Sequence, residues 1–284
     1  MMDPSQPDIV YRPRGRLPGT RPGAHRGREA GGLGTFRDQV PFLRMPDARR
    51  IDVRATLRDP FEGTFVRRFE ARTPVEVWAL LDLSASMRFT GEADRMALAS
   101  AFCAGLAASA TRIGDAFGLI GCDEGVREDV FLAPSRAPTR AAEVALRLAA
   151  AACSGRGAGG MVAATRRLAG RPKIVFLLSD FRWPEVLIAE VFAALSLHDL
   201  VPVLLGDAAE AEGLPNWGLL ELDDLEGGGR RLVLMRPALR RRWIAREAER
   251  LATLRHLATA HGRPPFRLAG RFDPDAVSRH FLGA

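Results

Sequence analysis

Three nearly continuous apolar runs lie along the chain, at residues 75–81, 173–178 and 200–205. Runs of this length without polar alternation are typical of strands that are buried on both faces of a parallel sheet. Between them the apolar spacing predicts helices, at 92–113, 141–152, 161–168 and 185–197. Buried strands that alternate with helices indicate an α/β fold with a doubly wound, mostly parallel sheet.

Shorter strands are predicted around this pattern. Two of them, at 116–122 and 126–132, flank an Asp-Glu-Gly turn, and a late pair lies at 219–222 and 231–235. A long arginine-rich helix is predicted over 237–260, and a short tail follows it.

The first 72 residues have two different compositions. Residues 1–34 are dense in Pro, Gly and Arg and cannot bury much apolar surface, so we expect a disordered basic arm. Within 35–72, the stretches 51–57 and 64–70 alternate on either side of turn residues, which predicts a β-hairpin. The predicted organisation is an arm at 1–34, a hairpin region at 35–72, an α/β domain at 73–235, and a C-terminal helix and tail at 236–284.

The formal net charge of the 284-residue chain is +7, and the excess lies at its two ends. Residues 1–34 carry six arginines against three acidic residues, and residues 236–284 carry eleven against four. Lys173 is the one lysine among the 41 basic residues, so nearly all of them are arginines. A bias in codon usage explains this preference for arginine as well as selection for binding a ligand would. The strand regions also offer no aromatic stacking platform, so we expect no nucleic-acid partner.

The composition also bears on the compartment. No window offers 18 clean apolar residues, so no membrane span is expected, and the N-terminus lacks the apolar core of a secretory signal. Cys103, Cys122 and Cys153 are too few and too scattered for a disulfide framework or a zinc site, and we expect them to be buried. The sequence therefore indicates a cytoplasmic protein.

The candidate chemistry lies in two loops that follow buried strands. Asp82, Ser84 and Ser86 form a DxSxS pattern after the first strand, and Asp180 follows the second. Ligands of open α/β sheets bind beyond the carboxyl ends of the strands, so these side chains are expected at one site. Their oxygens suit a hard cation such as Mg²⁺ or Ca²⁺, whose open position could accept a partner carboxylate. The alternative is that they only cap the helices that follow.

The loop 81–87, together with Ser179 and Asp180, resembles the metal-ion-dependent adhesion site of von Willebrand factor A domains. The upstream segment 46–70 resembles the hairpin that precedes this domain in the bacterial DUF58 family. The resemblance covers about residues 35–280. It implies a non-enzymatic protein that acts with a MoxR-type AAA+ ATPase in maturation or chaperone systems. More narrowly, it implies an accessory protein of methanol oxidation that supplies a metal ion to methanol dehydrogenase or assembles it.

The resemblance implies Asp82, Ser84, Ser86 and Asp180 as ligands of Mg²⁺ or Ca²⁺, and a threonine from a Gly-rich loop as a further ligand. Here Gly159 and Gly160 are followed by Met161, which is a poor ligand for a hard cation. Ser154 and Thr165 are out of register with that position. Either the ion still binds, more weakly, or the site survives only as a protein-binding surface.

Two other functions stay open at this point. The arginines of the 237–260 helix, which flank Trp243 and Ile244, are either solvated or form the docking face of a metal-independent adaptor. A hydrolase that uses Asp82 or Ser84 would need a histidine base, and none of the five histidines falls in a strand-end loop. Phe181 is expected in the core, and Trp183 is either a core residue or an anchor for a partner.

Overall fold

The computed structural model describes residues 8–14, 25–91, 93–206, 213–223 and 229–282. Its main feature is a six-stranded sheet in which every neighbouring pair is parallel except the last. The prediction of a doubly wound, mostly parallel α/β sheet is confirmed. In spatial order the strands are β10 (Phe266–Leu268), β7 (Asp199–Leu205), β6 (Ile174–Ser179), β3 (Glu76–Asp82), β4 (Ala116–Cys122) and β5 (Val126–Ser135).

Helices cover both faces of this sheet, as the continuous apolar runs of its strands require. On one face, Trp78 and Leu80 of β3 belong to a core that also includes residues of α4, α5 and α6. On the other face, the Phe176 ring of β6 lies 5.6 Å from that of Phe102 in α2 and 5.5 Å from that of Phe281 in α7. The helices are α2 (Arg95–Arg112), α3 (Arg140–Ala150), α4 (Gly160–Arg167), α5 (Glu185–Ala194), α6 (Pro237–Ala260) and α7 (Pro274–Leu282).

Both ends of the chain contribute to this part of the fold. The C-terminal segment, predicted as a short tail, forms β10, which pairs in parallel with β7, and then α7. Near the N-terminus, Ile9 and Tyr11 are buried, and the Tyr11 hydroxyl donates a 2.6 Å hydrogen bond to Asp115. The predicted late pair is present as β8 (Gly218–Asp223) and β9 (Arg230–Met235), which form an antiparallel two-stranded sheet.

The chain divides into two compact units, one of Pro13–Val75 and one of Glu76–Ala284 with Met1–Arg12. In its described residues, the first unit contains an antiparallel pair of strands, one short α-helix and two 3-10 helices. The strands and the α-helix are β1 (His25–Pro41), α1 (Val53–Arg58) and β2 (Phe65–Thr73).

The first unit has an antiparallel strand pair, but the strand predicted as the partner of 64–70 was assigned wrongly. Residues 53–57 of the predicted strand 51–57 are helical, because the Asp52 carboxylate accepts hydrogen bonds from the amides of Arg54 and Ala55 and closes the first turn. The strand that pairs with β2 is β1, which begins at His25. The prediction of a disordered arm is therefore wrong for residues 25–34, and its residues 1–7 and 15–24 lie outside the described part of the chain.

Other expectations from composition can be compared directly. Cys103, Cys122 and Cys153 are buried, as predicted, and burial raises the pKa of each thiol. Within the described ranges, no helix combines the length and the apolar character that a bilayer crossing requires.

Candidate functional site

The four predicted residues meet at one edge of the main sheet. Asp82 is the last residue of β3, and Asp180 directly follows Ser179, the last residue of β6. The two strands are parallel neighbours, with Leu81 beside Leu178, so the loops that leave them lie side by side. Ser84 and Ser86 follow Asp82, and Ser86 lies in a short 3-10 helix, Ala85–Arg88.

Asp82 is a fully buried carboxylate held by three hydrogen-bond donors. Its Oδ1 accepts from the Ser84 amide at 2.8 Å, and its Oδ2 accepts from Ser179 Oγ at 2.6 Å and Trp183 Nε1 at 2.8 Å. Burial, with the nearby Asp180 charge adding to it, raises the pKa of Asp82, whereas the hydrogen bonds from Ser179 and Ser84 act in the opposite direction. The carboxylate is thus fixed in place before any ligand arrives.

The two serines of the motif face each other. Ser84 Oγ lies 3.0 Å from Ser86 Oγ, and both side chains are buried. The Gly-rich loop packs along this segment, because the Ala85 amide donates to Gly155 O at 2.9 Å. A side chain at Gly155 would place its Cβ 2.3 Å from the Asp123 Cβ, so the close approach requires glycine.

Asp180 is paired with a residue that the sequence pattern did not suggest. Its Oδ2 accepts a 3.0 Å hydrogen bond from Arg95 Nη1, and the side chains of the pair are each 2% exposed. The same Nη1 donates to Ser86 O at 2.9 Å. Arg95 is the first residue of α2, where the helix dipole disfavours a cation. No local pattern around Arg95 points to Asp180, which lies 85 residues away in sequence.

The backbone after Asp180 is held in an unusual conformation. Phe181 has a φ of 52°, in the left-handed region that bulky side chains rarely adopt. Its amide donates to Ser179 Oγ at 2.8 Å, and Arg250 Nη1 of α6 donates to the carbonyl oxygens of Asp180 and Phe181, at 2.9 and 3.0 Å. Phe181 lies in the core, as expected, and Trp183 is buried against the site with its indole N–H on Asp82.

Residues 45–253 match the sequence profile described as "Protein of unknown function DUF58". The chain belongs to the DUF58 family. The resemblance to the DUF58 family, drawn from the motif and the upstream segment, is thereby confirmed.

Relatives of this DUF58 protein include an "Uncharacterized protein in moxR 3'region" of Paracoccus denitrificans, which is 37% identical over 99 residues, 34% of this chain and 90% of that protein. Three solved structures are similar in fold. BatB from Bacteroides thetaiotaomicron is 15% identical, with 74% of this chain and 98% of that chain covered and a TM-score of 0.43. A von Willebrand factor type A protein from Catenulispora acidiphila is 16% identical, with 75% and 42% covered and a TM-score of 0.38. The mussel byssus protein PTMP1 with a zinc-occupied MIDAS motif is 13% identical, with 74% and 46% covered and a TM-score of 0.37. These likenesses concern the fold and not the site.

One feature of the DUF58 site agrees with a divalent cation. Neighbouring ligands of an octahedral Mg²⁺ lie about 2.9 Å apart, since each Mg–O bond is about 2.05 Å long. The separation of the Ser84 and Ser86 oxygens, 3.0 Å, is close to that value.

The rest of the donor set does not fit such an ion. Asp180 is already paired with a buried guanidinium, and Asp82 Oδ2 already accepts two hydrogen bonds. Met161, where the family pattern has threonine, is fully buried in the core, and Thr165 Oγ1 bonds to Val162 O within its own helix. Among the residues that the structure describes, no cluster of three or more His, Cys, Asp or Glu is placed to hold a metal. The four residues are brought together, but they do not fit a divalent cation while Arg95 stays in place.

The rim of the site is rich in exposed arginines. Arg88 ends the 3-10 helix after β3, Arg156 follows Gly155 in the Gly-rich loop, and Arg182 lies two residues after Asp180. Arg182 Nε is 3.9 Å from Asp180 Oδ2. Glu124, which accepts a hydrogen bond from the Arg156 amide, is an exposed acidic residue in the same region. Three segments that border the site therefore carry exposed arginines, and Nη2 of Arg182 also lies 3.7 Å from Glu247 Oε2.

Proposed function

We propose that this DUF58 protein is a non-enzymatic, cytoplasmic interaction module that works with a MoxR-type AAA+ ATPase in the maturation of a client protein. The observation that carries the proposal is the Paracoccus relative from the moxR 3' region, 90% of which aligns with this chain. Membership of the DUF58 family and the von Willebrand A-like fold support an interaction role.

The surface proposed for partner binding is the site rim, formed by Arg88, Arg156 and Arg182. Guanidinium groups pair with carboxylates in a two-pronged geometry, so the matching partner surface is acidic. The loops that carry Arg88 and Arg182 are joined to each other beneath these side chains through buried hydrogen bonds. Complementary charges on loops held in fixed positions favour specific recognition of one partner.

Recognition at this rim is proposed to be independent of a divalent cation. The metal-bridged form predicted for Asp82, Ser84, Ser86 and Asp180 would need the distal carboxylate, and Arg95 already occupies it. Delivery of a metal ion to methanol dehydrogenase, which the resemblance implies, stays a prediction about the client.

A second candidate is docking through α6, which the exposed side chains of Arg241, Arg242 and Arg246 support. Two other arginines of α6 have structural roles, since Arg240 Nε donates to Leu214 O and Arg250 holds the loop after Asp180. The exposed part of the basic face is therefore smaller than the composition of the helix suggests. A hydrolase is less well supported, because Ser84 Oγ contacts Ser86 Oγ in the place where a nucleophile would need its base.

Binding of the purified protein to the MoxR-type ATPase of the same organism tests the proposal by biolayer interferometry. Reversing charge at the rim, with Arg88→Glu and Arg156→Glu together, should weaken binding at least tenfold. The matched control, Arg241→Glu with Arg242→Glu on α6, should change binding less than twofold. The opposite ranking would transfer the function to α6, and absence of binding by the wild type would refute the ATPase partnership.

A further inference from the structure

Arg95 is among the largest fully buried side chains of the protein. It projects from the start of α2 towards the edge formed by β3 and β6, and its guanidinium carbon lies 4.9 Å from the centre of the Phe89 ring. Burial of a guanidinium is unfavourable unless an anion compensates it. Asp180, itself buried, is that anion at 3.0 Å.

One nitrogen of this side chain joins the two loops of the site. Arg95 Nη1 donates to Ser86 O in the loop after β3 and to Asp180 Oδ2 in the loop after β6. A divalent ion held by the serine and aspartate oxygens would join the same two loops and neutralise the same carboxylate. The guanidinium thus supplies both the positive charge and the bridge.

The other groups of the site also favour the Arg95 guanidinium over a bound metal ion. A divalent ion bound beside Arg95 would experience repulsion from the guanidinium at short range, in a buried region where screening is weak. It would also lack the third hydroxyl, because Met161 is packed in the core. We propose that Arg95 is the resident cation of this site, and that the site assembles without a divalent ion.

Ion binding by the wild-type protein is the first test. Mn²⁺ is titrated into chelator-treated protein, and the free ion is counted by electron paramagnetic resonance. Free Mn²⁺ should follow the buffer control, and the urea midpoint of unfolding should be the same in Mg²⁺ and in EDTA. One Mn²⁺ bound per chain, and lost in Ser86→Ala, would overturn the proposal.

A variant in which a metal ion can take the place of the Arg95 guanidinium gives the second test. Arg95→Ala combined with Met161→Thr removes the guanidinium and restores a hydroxyl, so Mn²⁺ should bind at least tenfold more tightly than to the wild type and should raise the unfolding midpoint. Met161→Thr alone keeps Arg95 and should stay indifferent to ions. If the double variant folds only with Mn²⁺, that dependence is itself the expected result.

A double variant that is as stable as the wild type without any ion would refute the role of Arg95. The inference concerns the site assigned above to partner binding and rests on that assignment only for its biological meaning. Both tests measure ion binding and folding without a partner, so either proposal can fail while the other stands.

Discussion

Replacing Arg250 with methionine should release the loop that carries Asp180. Methionine keeps much of the aliphatic length of arginine but loses the hydrogen bonds to the carbonyl oxygens of Asp180 and Phe181. Phe181 keeps its left-handed φ of 52° only while its surroundings impose it. The perturbation therefore acts on a strained backbone as well as on two hydrogen bonds.

The expected magnitude follows from the exposure of the groups. A hydrogen bond to a charged donor contributes about 1.5–3 kcal/mol when buried. The Arg250 side chain is 25% exposed. We therefore take about 1 kcal/mol for each bond, the value for an ordinary hydrogen bond. The ion pair with Glu247 is partly solvated and adds about 0–1 kcal/mol. The free energy of unfolding should fall by about 2–3 kcal/mol in total.

Urea unfolding monitored by circular dichroism measures the change through the shift in the transition midpoint. Arg242→Met is the matched control, because Arg242 is an exposed arginine on the same helix and its loss should change stability by less than about 0.5 kcal/mol. If Arg250→Met were as stable as Arg242→Met, the reasoning about this loop would be refuted.

Three further predictions concern other parts of the fold. Gly160→Ala would place a Cβ 2.4–2.6 Å from the backbone of Gly125 and should lower the free energy of unfolding in urea by at least about 2 kcal/mol. In the control Gly159→Ala, the nearest atom would be 3.8 Å away and stability should hardly change, so equal effects of the two variants would contradict this packing. Tyr11→Phe removes the hydroxyl that donates to the buried Asp115 carboxylate and should lower the free energy of unfolding by about 1–3 kcal/mol. Val10→Ala, at an exposed position, is the control, and unchanged stability of Tyr11→Phe would mean that the N-terminal segment does not pack as described. Burial, and then the Lys173 charge, lowers the pKa of His198, so the folded state keeps this imidazole neutral while the unfolded chain takes up a proton below the ordinary value of 6.5. The contribution of His198 to stability should therefore be fully present above that pH and decrease as the pH falls below it. In His198→Gln, the thermal unfolding midpoint should depend less on pH between 7.5 and 5, and the same pH dependence as in the wild type would exclude His198 as the source.

The buried strands and the longest helix could be predicted from the sequence alone. Strand β4 and helix α6 have the predicted bounds, and β3 and β6 differ by one residue at each end. The strands can be recognised from their own residues, because a strand buried on both faces must be apolar throughout. In α6, Pro237 stands at the first helical position, where proline is favoured.

The failures occurred where structure depends on distant residues. The alternation at 51–57 suits a strand, but Asp52 caps a helix there, and the partner of β2 begins 40 residues before it, at His25. Strand β10 is only three residues long and forms because the edge of β7 is available to it.

The candidate site could likewise be predicted only in part from the sequence. Asp82, Ser84, Ser86 and Asp180 could be placed at one edge of the sheet because both loops follow the carboxyl ends of buried strands, and the structure adds that these strands are parallel neighbours. Arg95 could not, because its partner lies 85 residues away in sequence and its role depends on the orientation of α2. Local patterns in a sequence do not record which charge compensates a buried carboxylate.

The pairing of β10 with β7 has a practical consequence for work on fragments. The DUF58 match ends at residue 253, within α6, so a fragment limited to 45–253 would lack Phe266–Leu268. Val203, Leu204 and Leu205 of β7 would then lose the strand that covers their outer edge, which exposes a template for intermolecular strand pairing next to Pro202. Such a fragment should aggregate, whereas the full chain covers this edge with its own C-terminal strand. We therefore expect the short final strand to limit self-association of the full chain.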